Sequence, residues 1–242
     1  GERRLEGRSI ILATGAVPRS IPGYEIDGRR IVSSDHALEW AERPGRVAVI
    51  GAGAIGCEFA SFLSDLGAKV HLFEVLPQIL PGMEPEAAKV LHRELTGRKV
   101  EIHTGTAVGA AAGGPDGVVV PFDGGSAAVD VVLVAVGRAP VTSGLGLDGT
   151  RVEVDRGFVK VDPLTQQTAE PGVYAVGDIV AGTPQLAHAG FAEGIAAVTH
   201  IATGRAAPVN YRAVPAIVYT RPEVAAVGLT EERARAAGYQ VA

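Results

Sequence analysis

The residues from Val47 to Glu74 constrain the fold more than any other stretch of the chain. The apolar run Val47 to Ile50 is followed by segment 51–56, which reads Gly-Ala-Gly-Ala-Ile-Gly. A helical pattern comes next, and a second apolar run then ends at Glu74. Apolar runs of this length are typical of buried parallel strands. The order therefore predicts a strand, a glycine turn, a helix and a neighbouring parallel strand.

Each glycine of the turn has a separate physical role. Gly51 allows a sharp turn, Gly53 allows a pyrophosphate to approach the backbone, and Gly56 allows the helix to pack closely on the strand. The helix N-terminus then presents free N–H groups and a partial positive charge to the phosphates. Glu74, about 20 residues later, is placed to accept hydrogen bonds from adenosine ribose hydroxyls. The alternative interpretation is a glycine turn of an ordinary α/β domain.

The acidic residue also favours NAD over NADP. A carboxylate at Glu74 would repel a 2′-phosphate, and no arginine follows until Arg93. An NADP enzyme is the alternative.

Composition excludes several classes of function. The chain has 242 residues, of which 47% are hydrophobic, enough for one large domain or two modest ones. Its formal net charge of −5 gives no electrostatic reason to expect nucleic acid or an anionic membrane as a partner. No apolar run approaches the roughly 18 residues of a membrane span, and no signal-peptide core follows the polar start. We expect a cytoplasmic protein or one in the soluble interior of an organelle.

The cysteine and histidines predict no metal site. Cys57 is the only cysteine, so neither an intrachain disulfide nor a cysteine metal cluster can form. We expect it to be a small buried helix residue rather than a reactive thiol. His36, His71, His92, His103 and His200 show no ligand or triad spacing, and we interpret them as packed or solvated residues.

The first half of the chain predicts further α/β elements. We expect a strand within 8–16, a helix over 35–42 capped by Ser34, a helix over 84–95 and a third parallel strand over 100–103. A buried strand needs neighbours on both sides, and too little sequence precedes residue 8 to supply them. We therefore expect the chain to be a fragment.

The second half adds a β-rich insert and another helix. The apolar runs 118–122 and 129–136, with glycine-rich turns at 113–117 and 123–125, indicate a β-meander. A strand ending at Gly177-Asp178 precedes a helix over 185–202. Its apolar residues, expected to face inward, are Leu186, Ile195, Val198 and Ile201.

Six motifs follow one another along the chain. They are Ala13-Thr14-Gly15, Gly51-x-Gly53-x-x-Gly56-x-Glu58, Gly137-Arg138-x-Pro140, Thr168 to Ala175-x-Gly177-Asp178, Leu186-Ala187-His188 with Glu193-Gly194, and Pro215 to Tyr219-Thr220-x-Pro222-Glu223-Val224. In combination they resemble the flavin-dependent pyridine nucleotide-disulfide oxidoreductases, and among these the chain looks most like the dihydrolipoamide dehydrogenases. The resemblance covers nearly the whole chain.

The resemblance implies an α/β architecture in which a Rossmann-like NAD-binding domain is inserted in a split FAD-binding domain. Residues 1–45 would be the end of the first FAD-domain segment and a linker, and 46–142 the NAD-binding domain. Residues 143–210 would be the second FAD-domain segment, and 211–242 the start of an α+β interface domain that mediates dimerisation.

The resemblance also implies two sets of cofactor-binding residues. The NAD set is Gly51, Ala52, Gly53, Ala54, Ile55, Gly56, Cys57, Glu58, Glu74, Val108 and Gly137, with Glu58 near the nicotinamide. The FAD set is Thr14, Gly15, Ala16, Asp178, Gln185, Leu186, Ala187 and His188. Asp178 would hold the ribityl or phosphate portion, and the helix start at 185–188 would direct N–H groups at the flavin pyrimidine edge.

The implied activity is hydride transfer between NAD and FAD and electron exchange with a dithiol, dihydrolipoamide by preference. The implied partners are a lipoyl-carrying protein of a 2-oxoacid dehydrogenase complex and a second copy of the chain. The redox cysteine pair and the C-terminal His and Glu acid–base pair of the family have no counterpart in this sequence, so we predict no catalytic residue and no disulfide reduction by this chain alone. The alternatives are a mercuric reductase- or transhydrogenase-like flavoenzyme and a non-catalytic NAD-binding remnant.

Overall fold

The computed structural model describes residues 5–114 and 117–241, so Pro115 and Asp116 of the predicted turn lie outside the described residues. The chain forms two compact units. The first contains the chain up to Val17 together with Ala139–Val214, and the second contains Pro18–Arg138 together with the chain from Pro215 onward. The four-part domain division at residues 45, 142 and 210 stays a prediction.

The strands and helices follow one another in chain order. The strands are β1 (Ile10–Leu12), β2 (Ala16–Pro18), β3 (Ile31–Val32), β4 (Arg46–Ile50), β5 (Lys69–Phe73), β6 (Glu101–His103), β7 (Ala112–Gly114), β8 (Gly117–Phe122), β9 (Gly125–Val129), β10 (Val131–Val134), β11 (Arg138–Pro140), β12 (Val154–Asp155), β13 (Phe158–Val159), β14 (Val173–Ala175), β15 (Ala216–Val218) and β16 (Val224–Ala226). The helices are α1 (Ser34–Ala37), α2 (Ala54–Asp65), α3 (Pro85–Gly97), α4 (Ala187–Thr203) and α5 (Glu231–Ala236). Short 3₁₀ turns lie at Gly177–Ile179 and Tyr211–Ala213.

A parallel sheet of five strands is the centre of the second unit. Its strand order is β3-β10-β4-β5-β6, and every pairing is parallel. From β4 the chain runs outward through β5 to β6, and β10 then pairs on the other side of β4. This reversal creates a switch point at the carboxyl end of β4, where ligands of open α/β sheets bind. The glycine turn follows β4 directly and therefore lies at that point.

Helices cover one face of this sheet and the β-meander covers the other. Val47 and Val49 of β4 belong to the core formed with α2 and α3, whereas Ala48 and Ile50 belong to the core formed with β8 and β9. Successive strand residues point to opposite faces, so an uninterrupted apolar run buries both.

Two of the predicted elements differ from the structure. The meander consists of β7, β8 and β9, whereas β10 joins the parallel sheet, so the prediction of one meander strand over 129–136 was wrong. All four residues of β10 are buried, as a central parallel strand requires. The predicted helix over 35–42 is the shorter α1, with Ser33 rather than Ser34 at its N-cap. Ser33 forms a capping box with His36.

In the first unit, β1 pairs in parallel with β14, β12 and β13 form a hairpin, and α4 packs on the 3₁₀ turn at Gly177–Ile179. The prediction that Ile195, Val198 and Ile201 face inward was wrong, because all three are exposed and Ile195 is 67% exposed. The buried residues of α4 are Ala189, Glu193, Ala196 and Ala197. Three of them are alanines, and such small side chains allow the helix to lie close to its neighbours.

No helix of the described ranges has the length and apolar character needed to cross a membrane.

Candidate nucleotide-binding sites

The turn after β4 has a backbone geometry that requires glycine at two positions. Gly51 has φ +96°, in the left-handed region, and its N–H donates to the Phe73 carbonyl at 2.8 Å. A Cβ at Gly51 would lie 2.5 Å from the Ala135 carbonyl oxygen. A Cβ at Gly56 would lie 1.8 Å from the Gly51 oxygen. The tight turn and the close packing of α2 on β4 therefore both depend on the absence of a side chain.

Gly53, in contrast, faces open space. A Cβ placed there would meet nothing within 4 Å, and its φ of −70° is open to any residue. Gly53 is the N-cap of α2, whose first turn has no side-chain cap and no acidic residue. Because the first N–H groups of a helix lack intrahelical partners, this end of α2 is a site for an anion. The open space and the uncapped helix end fit a dinucleotide pyrophosphate.

Glu74 links the end of β5 to the glycine turn. Glu74 is only 7% exposed. Its Oε2 accepts the Ala52 N–H at 2.8 Å, and its Oε1 accepts the Leu76 N–H at 2.9 Å. A carboxylate has about four acceptor positions, so each oxygen retains capacity for a ribose hydroxyl. The sequence predicted the ribose contact, but it gave no sign of the bond to Ala52, which lies 22 residues away in the chain.

The other predicted residues of α2 differ in their surroundings. Ala54 is exposed and Ile55 half-buried at the helix start. Cys57 is fully buried, its Sγ donates to the Ala52 carbonyl at 3.3 Å, and burial raises the pKa of the thiol to about 12. The expectation of a buried structural cysteine holds, and its side chain faces the core rather than a ligand. The Glu58 carboxylate accepts the Tyr219 N–H at 2.8 Å.

Two further residues of the predicted NAD set lie outside α2. Val108 forms an isolated bridge with Phe122 and packs on the core beneath the meander. Gly137 has φ +105°, and its carbonyl accepts the Arg19 N–H at 3.1 Å. It follows Ala135, whose carbonyl lies against Gly51, so the chain after β10 borders the glycine turn.

A cleft of about 690 Å³ lies within the first unit. It brings together four residues of the predicted FAD set, namely Gly15, Asp178, Leu186 and Ala187. Thr14 lies between the lining residues Ala13 and Gly15, and its hydroxyl donates to the Val141 carbonyl. Gln185 donates from Nε2 to the Asp178 carbonyl at 3.2 Å, whereas the predicted His188 is exposed beyond the lining. Ala16 lies in β2, directly after Gly15.

The walls of this cleft combine an apolar surface with a few polar groups. The start of α4 has Leu186 at its N-cap and no side-chain cap, and the positive end of the helix dipole favours an electron-rich group there. Phe191, Ile195 and Val198 form an apolar wall. Within the described residues the Asp178 carboxylate accepts no hydrogen bond, and it lies on the cleft lining. An apolar wall with a few polar groups is typical of a cofactor pocket.

Glu193 fixes the turn that carries Asp178. It is fully buried, and its carboxylate accepts the Gly177 N–H at 2.5 Å and the Tyr211 hydroxyl at 2.9 Å. Burial, and then the neighbouring carboxylate, raise the pKa of Tyr211 above its ordinary value. A Cβ at Gly190 would lie 3.2 Å from the Gly177 Cα, so the helix approaches the turn closely. The sequence placed Glu193 in a motif but predicted no role for it.

Two histidines and a glutamate come close together in the structure. His71, Glu101 and His103 converge on one face of β5 and β6. The expectation that no histidine has ligand spacing to another candidate was therefore wrong for His71 and His103.

Comparison with known proteins identifies the family. The family model described as pyridine nucleotide-disulphide oxidoreductase matches residues 1–194, and the model of its dimerisation domain matches residues 214–242. The chain is 43% identical over 243 residues to dihydrolipoyl dehydrogenase 3 of Pseudomonas aeruginosa, covering 98% of this chain and 51% of that protein. It is 41% identical to dihydrolipoyl dehydrogenase of Chlorobaculum parvum, covering 99% of this chain and 52% of that protein.

Solved structures of flavoprotein reductases and related proteins also match the fold of this chain. The crystal structure of LpdA from Mycobacterium tuberculosis matches with a TM-score of 0.86 and 31% identity, covering 95% of this chain and 50% of that one. The HOCl-induced flavoprotein disulfide reductase RclA from Escherichia coli matches with a TM-score of 0.87 and 28% identity, covering 98% of this chain and 55% of that one. The chain thus spans about half the length of these relatives. Proteins of the matched family use FAD and NAD. The chain belongs to the pyridine nucleotide-disulphide oxidoreductase family.

Proposed function

We propose that this chain supplies the NAD-binding part and the second half of the FAD-binding part of a dihydrolipoamide dehydrogenase-type flavoenzyme. Such an enzyme passes a hydride between NAD and FAD and electrons to or from a dithiol. The observation that carries the proposal is the hydrogen bond from the Ala52 N–H to Glu74, which joins the ribose-binding carboxylate to the phosphate-binding turn.

The residues of the second unit would bind and orient the dinucleotide. Glu74 holds the turn through Ala52 and keeps acceptor capacity for a ribose hydroxyl. The uncapped start of α2 and the open space at Gly53 receive the pyrophosphate.

The residues of the first unit would hold the flavin. Glu193 fixes Gly177, and Gly177 positions Asp178 for the ribityl or phosphate portion. The start of α4 directs its N–H groups at the pyrimidine edge, where they stabilise negative charge. When bound, the cofactors supply hydride exchange between nicotinamide and flavin.

Nucleotide selectivity tests the first site. We expect NADH to bind more tightly than NADPH, because the Glu74 carboxylate repels a 2′-phosphate. Glu74→Gln removes the charge and keeps one oxygen acceptor, for the Ala52 or the Leu76 N–H but not for both. Because the repulsion of the 2′-phosphate is lost, it should narrow the ratio of the two dissociation constants about tenfold, as should Glu74→Ala. Fluorescence titration with both nucleotides measures this ratio. Tighter binding of NADPH by the unmodified protein would refute the NAD assignment.

Flavin retention tests the second site in the protein expressed from its full coding sequence. Asp178→Ala should lower the amount of FAD that survives gel filtration, with Asp155→Ala as the exposed control in the same unit. Unchanged retention in Asp178→Ala would contradict the assignment. NADH should bleach the flavin absorbance of the unmodified protein.

The acceptor is proposed to be a dithiol, dihydrolipoamide by preference, presented free or on a lipoyl-carrying protein of a 2-oxoacid dehydrogenase complex. NAD reduction by dihydrolipoamide should then exceed NADPH- or Hg(II)-dependent turnover, which a transhydrogenase-like or mercuric reductase-like enzyme would favour. We further propose that the complete protein is cytoplasmic and forms a homodimer. Sedimentation analysis of the purified protein measures the oligomeric state.

A non-catalytic NAD-binding module is the second candidate. It would bind NADH through the Ala52 turn and Glu74 and would need no flavin. NADH binding without any flavin bleaching in the full-length protein would support it over the enzyme.

A further inference from the structure

Three side chains with metal-binding chemistry meet on the edge of the parallel sheet. His71 lies on β5, and Glu101 and His103 lie two residues apart on the edge strand β6. In the parallel register His71 pairs with Glu101, so the three side chains share one face. One ligand atom from each lies within 4.8 Å of the others.

Two of the three separations are close to the edge length of a coordination tetrahedron, and the third lies within 4.8 Å. The His71 Nδ1 lies 3.4 Å from the His103 Nε2 and 3.5 Å from the Glu101 Oε2. Zinc bonds of 2.0 to 2.1 Å in tetrahedral geometry place neighbouring ligand atoms about 3.3 to 3.4 Å apart. A separation of 3.4 Å is long for a direct hydrogen bond between two imidazoles. The distances therefore suit a shared cation better than mutual hydrogen bonding.

Packing holds the imidazoles in position before any ion binds. The His103 ring stacks on Phe73 at 4.6 Å between centroids and contacts Phe122 at 4.7 Å. The His71 ring is nearly parallel to that of His103, with 13° between their planes. Phe73 is almost fully buried in the core beneath the meander. Side chains fixed by packing lose little freedom on binding a ligand.

The cluster is also open to an ion from solution. The Glu101 side chain is 64% exposed, and the His71 side chain is 19% exposed. Two imidazole nitrogens and one carboxylate oxygen form a ligand set typical of zinc, and three protein ligands leave a fourth position for water.

We propose that His71, Glu101 and His103 form a binding site for a divalent transition-metal ion, with zinc as its occupant. The ion links β5 to the edge strand β6, where the His103 carbonyl also accepts the Glu74 N–H at 2.9 Å. It acts on the stability of the sheet and takes no part in the hydride chemistry. Because the proposal does not depend on nucleotide binding, it can fail or hold independently of the proposed enzyme.

Isothermal titration calorimetry of the purified 242-residue chain with Zn²⁺ tests the site. We expect one ion per chain, and we expect His71→Ala or His103→Ala to weaken the affinity at least about 100-fold, because even outer-shell changes at zinc sites cost 10- to 100-fold. The control His92→Ala removes a histidine of α3 in the same unit and should leave the affinity unchanged. Absence of one-to-one binding, or equal affinity in all the variants, would overturn the proposal.

Loss of folding could imitate the loss of a ligand, since His103 packs on Phe73. Glu101→Gln avoids this ambiguity because its side chain is largely exposed. We expect it to weaken Zn²⁺ binding at least about tenfold and to leave the circular dichroism spectrum unchanged. Co²⁺ in the unmodified chain should show the intense visible absorption of a tetrahedral site, and this absorption should be absent from His71→Ala. Octahedral Co²⁺ spectra in both proteins, with Zn²⁺ affinity untouched by Glu101→Gln, would mean that the three side chains bind no shared ion.

Discussion

Substitutions in the glycine turn can distinguish an effect on folding from an effect on nucleotide binding. Two of its glycines, Gly53 and Gly56, lie only three residues apart but in opposite surroundings, one in open space and one against the backbone. A methyl group at Gly56 would lie 1.8 Å from the Gly51 oxygen, a backbone atom with little room to move. Relief needs a shift of about 1 Å or more between α2 and β4, and overpacking of this kind costs about 1–3 kcal/mol or more of stability. Gly56→Ala should therefore lower the free energy of unfolding by at least that amount.

Gly53→Ala should leave folding nearly unchanged. The added methyl meets nothing within 4 Å, and φ is −70°. The lower preference for alanine at an N-cap and the lower entropy of the unfolded chain oppose each other, and each is below about 1 kcal/mol. The methyl would, however, occupy the space proposed for the pyrophosphate. Loss of one charge-assisted hydrogen bond, about 1.5–3 kcal/mol, corresponds to a dissociation constant for NADH that is roughly 10- to 150-fold larger.

Urea unfolding followed by circular dichroism, together with NADH fluorescence titration, measures both quantities. We expect Gly56→Ala to reduce stability and Gly53→Ala to reduce affinity at nearly unchanged stability. If Gly53→Ala bound NADH as tightly as the unmodified protein, the helix end would not be the phosphate site. If Gly56→Ala were as stable as the unmodified protein, the result would contradict the close packing of α2 on β4.

Two further predictions concern buried groups. Glu193→Gln should destabilise the first unit by about 1–3 kcal/mol in urea unfolding, because the neutral amide replaces the charge-assisted hydrogen bonds from Gly177 and Tyr211 with weaker ones. The exposed Glu153→Gln is its control, and equal midpoints of unfolding would contradict this role. Cys57 should resist alkylation by iodoacetamide at pH 8 in the folded chain, since burial raises its thiol pKa to about 12 and the reactive thiolate is absent at that pH. Mass spectrometry should detect full alkylation only in denaturant, and rapid modification of the native chain would show that the thiol is accessible.

Several contacts important to these sites join residues that are distant in sequence. Glu74 reaches back to Ala52, and Glu193 reaches back to Gly177. A sequence pattern indicates which residue types occur and where strands and helices begin, but it does not state which side chain meets which backbone group. The wrong prediction for Ile195 and Val198 has a related cause, since helical periodicity defines an apolar face without specifying what lies against it.

The sequence by itself determined the strand, glycine turn, helix and strand from Val47 to Glu74, together with the acidic residue that favours NAD. These features depend on local backbone geometry and on short-range periodicity, which are written into neighbouring residues. The tertiary structure alone decided that β10 joins the parallel sheet, that Glu193 supports the Asp178 turn, and that His71 meets His103. Strand pairing sets the place of β10 and the meeting of the two histidines, whereas the packing of α4 on the 3₁₀ turn sets the contact of Glu193. Both depend on burial and register between segments rather than on any single segment.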